Sequence, residues 1–568
     1  MAKADYKVSD LVGKVERGEL RLPEMQREYV WRATRVRDLL DSLYRGYPSG
    51  VILAWESDEP IATRDFAVAA SEASPVRPLL LLDGQQRLTS LSAVLRGKPV
   101  SVRGRSRPVE ILFNLDHPDE LSFITEVHEA SDDDAPEDVA DETERDIQER
   151  WNRLTFVVSS RQLEARSNWV RVSDVFSKSD AEILRSAGVT GFDDPNYDRY
   201  TSRLKAVRAI ADYEYRMDVL ERTKSYEEVT EIFVRVNSLG AKLRSSDLAL
   251  AQITAKWRGS LELFRSYQDE VDQRGFNLDL SIFLRTLVAI VTGQSKFQTV
   301  NSITLPQLED GWKRAQKAFD FALNFCASNL GIDSPTLLSS PFLLVTTAYW
   351  TDKRDYQIGG AESDAFKRWF LIANAKGRYS RGSSETILDQ DISDLKRGGS
   401  VDDLLQRLVN QVGRLDFTVE ELVGRSSRSG AFKTLFLAFK QDGARDWATQ
   451  LAISAKHQGK SDRIEYHHIF PKAFMKTARP DLGRSEIDDF ANLAFIGATT
   501  NKKIRDHAPS VYRRDFAKTD LELQLLDFGE SKDDAANFEA FVKQRRSAIA
   551  GRLNRFLGVS DNALRSKI

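Results

Sequence analysis

Leu79-Leu80-Leu81-Leu82-Asp83-Gly84-Gln85-Gln86-Arg87 sets the architecture of the N-terminal region. The leucine run ends at Asp83-Gly84 and reads as a short buried strand that enters a turn. From Gln85 the spacing changes. Leu88, Leu91 and Leu95 recur at helical intervals, so a helix opens directly after Gly84. A buried strand feeding a helix N-terminus suits an anion, because the first N–H groups lack partners and the helix dipole is positive there. Arg87 can add a bidentate grip on phosphate oxygens. Asp83 can reach a metal ion or a sugar hydroxyl, and Gln85 and Gln86 can position a phosphate or a water. No Gly-x4-Gly-Lys-Ser/Thr loop occurs in the chain.

Working outward, Tyr6 to Arg17 fits a helix with Val8, Leu11, Val12 and Val15 on one side, and Arg35 to Tyr44 fits another. Val109 to Leu115 and Leu154 to Val158 read as strands, which makes this an α+β or α/β domain. Ser131 to Glu149 holds ten acidic residues and one basic, and reads as an exposed acidic insertion. From Tyr200 to Leu408 the periodicity is mostly helical. Ser225 to Val236 is one helix, Asn237-Ser238-Leu239-Gly240 breaks it, and Ser246 or Asp247 caps the next. Gly359-Gly360 and Gly398-Gly399 are loop points. Further on, Ala431 to Phe439 and Trp447 to Ala455 read as helices, and Phe490 to Ile496 has strand character. The chain is thus expected to be α+β and predominantly helical, in three parts: residues 1–250, a helical connecting part 251–420, and 421–568.

Composition narrows the function classes. The 568 residues are 41% hydrophobic and 29% charged, as in ordinary globular proteins. Length alone suggests about two to four domains. A net charge of −3, from 82 basic and 85 acidic residues, excludes a wholly basic nucleic-acid coat. Residues 421–568 nevertheless carry 26 basic against 19 acidic residues, so the C-terminal part is the better candidate for contact with a polyanion. A lone cysteine, Cys326, excludes a disulfide framework and a cysteine-ligated zinc. The N-terminus has no apolar signal core, and Pro78 to Leu82 is too short to span a bilayer. The expectation is a soluble cytoplasmic protein with no membrane contact.

Six histidines are present, two of them adjacent in Glu465-Tyr466-His467-His468-Ile469-Phe470-Pro471. Asn492-Leu493 and Asn501-Lys502-Lys503 follow, with Arg505 beyond. Phosphodiester hydrolysis needs a base for water and a cation for the developing phosphorane charge. A neutral imidazole suits the base near pH 7. A second imidazole and an amide oxygen can hold one divalent ion, and lysines and arginines beside them suit a DNA backbone. A zinc site built from His457, His467 and His507 is the rival arrangement.

The histidine segment resembles an HNH endonuclease of the His-Me finger group, and His-His-Ile-Phe-Pro, Asn-Leu and Asn-Lys-Lys resemble the C-terminal nuclease module of GmrSD-type (type IV) restriction enzymes. That resemblance implies a ββα-metal fold. It makes His468 the general base, His467 and Asn501 the metal ligands, and Asn492 the residue that steadies the base-bearing segment. Lys472, Lys502, Lys503 and Arg505 are the DNA contacts. Many relatives have Asp-His where this chain has His467-His468. The difference bears on metal choice, since imidazole favours softer ions than carboxylate does.

Upstream, Leu22-Pro23-Glu24-Met25-Gln26-Arg27-Glu28-Tyr29-Val30-Trp31, the Asp83 to Arg87 segment and Phe233 to Gly240 together resemble the N-terminal half of the same family. Its fold is similar to ParB and sulfiredoxin. By that resemblance Gln26, Arg27, Asp83, Gly84, Gln85, Gln86, Arg87 and Asn237 line a nucleoside triphosphate pocket, with Gly84 permitting the close turn. Tyr29 and Trp31 read as packing aromatics. The chain is also similar to the phosphorothioate-sensing SspE branch. The resemblance implies an NTP-dependent endonuclease (GTP or ATP, with Mg²⁺ or Mn²⁺) that senses modified double-stranded DNA in antiphage defence, with no membrane partner and open to homo-oligomerisation. A nucleotide-switched DNA-binding regulator and an NTPase that depletes nucleotides are the alternatives.

Overall fold

The computed structural model describes residues 2–24, 31, 33–57, 63–64, 78–97, 110–119, 151–239, 244–457, 459, 462–528 and 535–559. The side chains of residues 63, 64, 227, 234 and 237–239 fall outside that description, as does the acidic segment 131–149. The chain divides into two compact units, Met1–Gly259 and Ser260–Ile568. The fold is mixed α and β, and mostly helical.

In the first unit the strands are β1 (Ala2–Lys7), β2 (Leu20–Pro23), β3 (Ile52–Trp55), β4 (Thr63–Arg64), β5 (Leu79–Asp83), β6 (Ile111–Asn114), β7 (Phe156–Val158), β8 (Trp169–Arg171) and β9 (Glu214–Leu220). They form a six-stranded sheet in the order β1-β9-β3-β5-β2-β4 and a three-stranded sheet β7-β6-β8. The leucine run is β5, near the centre of the larger sheet, parallel to β2 and antiparallel to β3. Its side chains alternate between faces. Leu81 joins a core made with the helices Val8–Glu16, Ala33–Tyr44 and Gln85–Leu95, while Leu80 and Leu82 join a second cluster with Trp55, Tyr226, Val229 and Phe233. Apolar cover on both faces explains why the strand reads as a continuous apolar run rather than an alternating one. Leu80, Leu81 and Leu82 are 3%, 0% and 1% exposed. Burial of each contributes roughly 2 kcal/mol.

The helix expected from Tyr6 begins at Val8, because Ala2–Lys7 pairs along its length with β9 and tertiary pairing overrides the local pattern. The helix after Ser225 runs from Tyr226 through Leu239, so Asn237 lies in its last turn and not in a break. It opens on a reciprocal cap: Ser225 N–H donates to Glu228 at 2.9 Å and Glu228 N–H to the Ser225 hydroxyl at 3.2 Å. The next helix starts at Ser245, with Asp247 inside its first turn accepting from the Arg244 N–H at 3.3 Å.

The second unit is helical up to Gln441, with long elements at Leu280–Thr292, Leu305–Leu330, Phe342–Lys353 and Gly360–Lys376. The helix expected over Trp447 to Ala455 does not form. Asp446 accepts from the N–H groups of Ala448 and Thr449 at 3.3 and 2.8 Å, Gln450 takes a φ of 63°, and Arg445 bridges to Ala452. Asp446 thus caps a single turn, closed by Gln450 N–H to Asp446 O at 3.0 Å, and the left-handed backbone of Gln450 turns the chain back before a helix can extend. The C-terminal part then carries β10 (Ile464–His468) and β11 (Leu493–Gly497), paired antiparallel with His467 opposite Ala494 and His468 opposite Leu493. The helix Ala498–Ile504 follows β11 directly, and the helix Phe538–Leu557 closes the region.

Candidate active site

The end of β10 carries the two histidines. Adjacent strand residues face opposite ways, and the rings find different partners. His467 is 2% exposed and its Nδ1 lies 2.8 Å from Asn501 Oδ1, across 34 residues of chain. An amide oxygen only accepts, so Nδ1 carries the proton in this contact. Nε2 of His467 is buried without a partner. Burial holds the ring neutral, with a pKa pushed down to about 4. His467 sits against the edges of Trp447 and Tyr512, with ring centroids 5.8 and 5.5 Å away. His468 is half-buried, and its Nε2 lies 2.9 Å from Asp488 Oδ1. Burial lowers its pKa more than the Asp488 contact raises it.

Asn501 comes from the helix Ala498–Ile504. Its Nδ2 donates to Glu465 Oε2 at 2.7 Å, which aims Oδ1 at His467. Asp446 fixes the start of this helix: it accepts from Gly497 N–H at 2.6 Å and from the Thr500 hydroxyl at 2.7 Å. That pairing satisfies the Gly497 N–H at the helix start and ties the first turn down through the Thr500 hydroxyl. Asn492 is fully buried and accepts from Phe470 N–H at 2.9 Å. Its Nδ2 donates to the carbonyls of Phe470 and Ile487 at 3.2 and 3.0 Å. It thereby fastens the chain just after the histidines to the chain just before Asp488. Tyr512 donates to Ile469 O at 2.8 Å from the other side. The Arg545 guanidinium, inside the helix Phe538–Leu557, donates to the carbonyls of Ala491 and Leu493 at 2.6 and 2.8 Å and props β11.

Lys502, Lys503 and Arg505 are exposed beside Asn501. Arg505 ends the helix at φ 55° and ψ −123°, a backbone region that non-glycine residues rarely adopt. Lys472 differs. Its Nζ is 2.6 Å from Asp488 Oδ1, so this cation is engaged by a carboxylate. Glu465, Asp446, Asp488 and Tyr512 escape the sequence reading, since each acts through a distant partner and none stands out by spacing. Among the described residues no group of three or more His, Cys, Asp and Glu side chains gathers as a metal centre. The trio His457, His467 and His507 is therefore not assembled. What is assembled is one imidazole and one amide oxygen 2.8 Å apart; with the Nδ1 proton released to Nε2, the two would be neutral donors for adjacent positions of a divalent ion, leaving its other positions to water and phosphate.

In the first unit, Gly84 takes a φ of 102°, and a Cβ there would stand 2.5 Å from Ile52 Cδ1. Glycine is required by conformation, and a Cβ would also have to push the buried Ile52 methyl aside. Gln85 and Gln86, 6% and 8% exposed, open the helix, and Gln86 Oε1 accepts from Trp31 N–H at 3.2 Å. Arg87 meets Asp83 Oδ2 at 2.9 Å, Ser49 O at 2.8 Å and Val51 O at 2.9 Å. Its fork clamps the loop before β3 to the end of β5. Gln26 and Arg27 lie outside the described residues, as does the side chain of Asn237.

Among the described residues no helix is long and apolar enough to cross a membrane. An uncharacterized protein of Methanocaldococcus jannaschii is 24% identical to this chain over 563 residues, covering 93% of the chain and 89% of the relative. Residues 8–254 match the family model of the GmrSD restriction endonuclease N-terminal domain. Residues 8–254 are thus similar to the N-terminal domain of GmrSD restriction endonucleases, a likeness that suggests a restriction-endonuclease-like role in defence with DNA as the substrate class.

Proposed function

We propose that this protein is a nucleotide-dependent DNA endonuclease whose N-terminal domain binds and hydrolyses a nucleoside triphosphate and whose C-terminal part is an HNH nuclease acting on modified DNA. The observation that carries the nuclease reading is the hairpin and helix that bring His467 and Asn501 to 2.8 Å, with His468 next in the chain. His467 and Asn501 would hold the divalent ion, which when bound supplies charge stabilisation for the phosphorane and the leaving oxygen. His468, kept neutral by burial, takes a proton from water. The water oxygen bonds to phosphorus as the bond from phosphorus to the leaving sugar oxygen breaks, and that oxygen is protonated from solvent. Lys502, Lys503 and Arg505 offer charge to the DNA backbone. In the first unit the helix N-terminus after Gly84, with Asp83, Gln85 and Gln86, offers phosphate a site, and the Arg87 clamp holds its shape.

The test is cleavage of DNA by wild type and His468→Ala, with Mg²⁺ or Mn²⁺ and with EDTA. Loss of a general base costs about 10²- to 10⁴-fold in rate, so the variant should be inactive while still hydrolysing nucleotide. Undiminished cutting by the variant, or cutting that persists in EDTA, overturns the assignment.

A further inference from the structure

We propose that Asp488 is the positioning residue for His468: it holds the ring with the proton on Nε2 and so presents Nδ1 as the basic nitrogen. The inference rests on the nuclease reading above and names which atom of His468 works and what sets it. Asp488 Oδ1 lies 2.9 Å from His468 Nε2. A carboxylate only accepts hydrogen bonds, so a neutral imidazole facing it must present N–H from Nε2. The lone pair is then on Nδ1, which has no protein partner among the described residues. The carboxylate is held ionised: burial would raise its pKa, but hydrogen bonds from Lys472 and His468 outweigh that and lower it.

Asp488 is an unsuitable cation ligand. Lys472 Nζ shares Oδ1 at 2.6 Å, and Arg484 Nε stands 3.3 Å from Oδ2. Two positive groups on one carboxylate repel a metal ion and leave Asp488 as an anchor. The pair is fixed from behind by Asn492. Its amide bonds Phe470, two residues after His468, and Ile487, one residue before Asp488. The strand end that carries the ring and the turn that carries the carboxylate are thus tied through one buried side chain. Asp488 N–H also donates to Arg484 O at 2.9 Å, which closes the turn. Partners that orient an imidazole through its second nitrogen fix both tautomer and ring angle.

The test uses the full chain with ¹⁵N-labelled histidine rings in EDTA at neutral pH, with long-range ¹H–¹⁵N spectra. The His468 signals are identified by their absence in His468→Ala. Wild type should show His468 neutral with the proton on Nε2. Asp488→Asn, which keeps an acceptor oxygen, should keep that pattern, and Asp488→Ala should lose it to a mixture of tautomers. In DNA cleavage, Asp488→Ala should lower kcat about 10- to 100-fold with KM unchanged, and Asp488→Asn should restore most of it. A wild-type His468 protonated on Nδ1, or a pattern unmoved by Asp488→Ala, overturns the proposal. Failure of wild type to cut any DNA overturns the nuclease reading instead, and the spectra still decide how Asp488 orients the ring.

Discussion

Asn492 and His467 show how single side chains hold the candidate site. Asn492 satisfies three backbone groups of two segments from a fully buried position. Asn492→Ala leaves those groups unpaired away from water, and should cost about 1–3 kcal/mol. Chemical unfolding should show the loss, and an unchanged midpoint contradicts the role. His467 gives a pH dependence of defined sign. Its folded pKa of about 4 lies below the value of about 6.5 in an unfolded chain. Between those values the unfolded chain takes up a proton that the folded one refuses. Stability is therefore full above about pH 7 and falls as pH drops through 6.5, by on the order of 1 kcal/mol at pH 5.5. His117, also depressed by burial, adds in the same direction. In EDTA, thermal melting from pH 7.5 to 5.5 should show this decline, and His467→Gln should reduce it. At this scale the sequence was readable where chemistry is unusual, as in two adjacent histidines. It was unreadable at Asp488 and Glu465, common surface residues that matter only through a ring and an amide folded onto them.

Elements were legible where one periodicity dominates. The leucine run and the Gln85–Leu95 helix fall where the pattern puts them, because an all-apolar run and a helical stripe each have one low-energy solution. Ala2–Lys7 was not legible, since its strand depends on β9 more than two hundred residues away. Trp447 to Ala455 looked helical and is not, because the turn that Asp446 caps ends at Gln450, whose left-handed backbone brings Ala452 back to bridge with Arg445. Close packing between elements is equally hidden. A Cβ on Gly430 would stand 2.0 Å from the carbonyl oxygen of Asn374, where the helix Gly430–Gln441 starts against the end of Gly360–Lys376. Gly430→Ala should force the two helices apart at about 1–3 kcal/mol. A melting temperature equal to wild type contradicts that contact.

For the whole molecule, each of the two compact units carries one candidate site. Calorimetry is expected to show two transitions, assigned to Met1–Gly259 and Ser260–Ile568. A nucleoside triphosphate should raise the first and Mn²⁺ or Mg²⁺ the second, each by about 2.7 kcal/mol at a hundredfold excess over Kd. A nucleotide that moves neither contradicts the N-terminal site. The central claim is that one chain couples a GmrSD-type N-terminal domain to metal-dependent cutting of modified DNA. It is tested most directly by presenting unmodified plasmid, phosphorothioate plasmid and glucosylated phage DNA to wild type and His468→Ala, with Mg²⁺, with and without nucleoside triphosphate. The account predicts nucleotide-dependent cutting of one modified substrate by wild type and none by the variant. Equal cutting by both proteins, or intact DNA in every lane while nucleotide is hydrolysed, contradicts it.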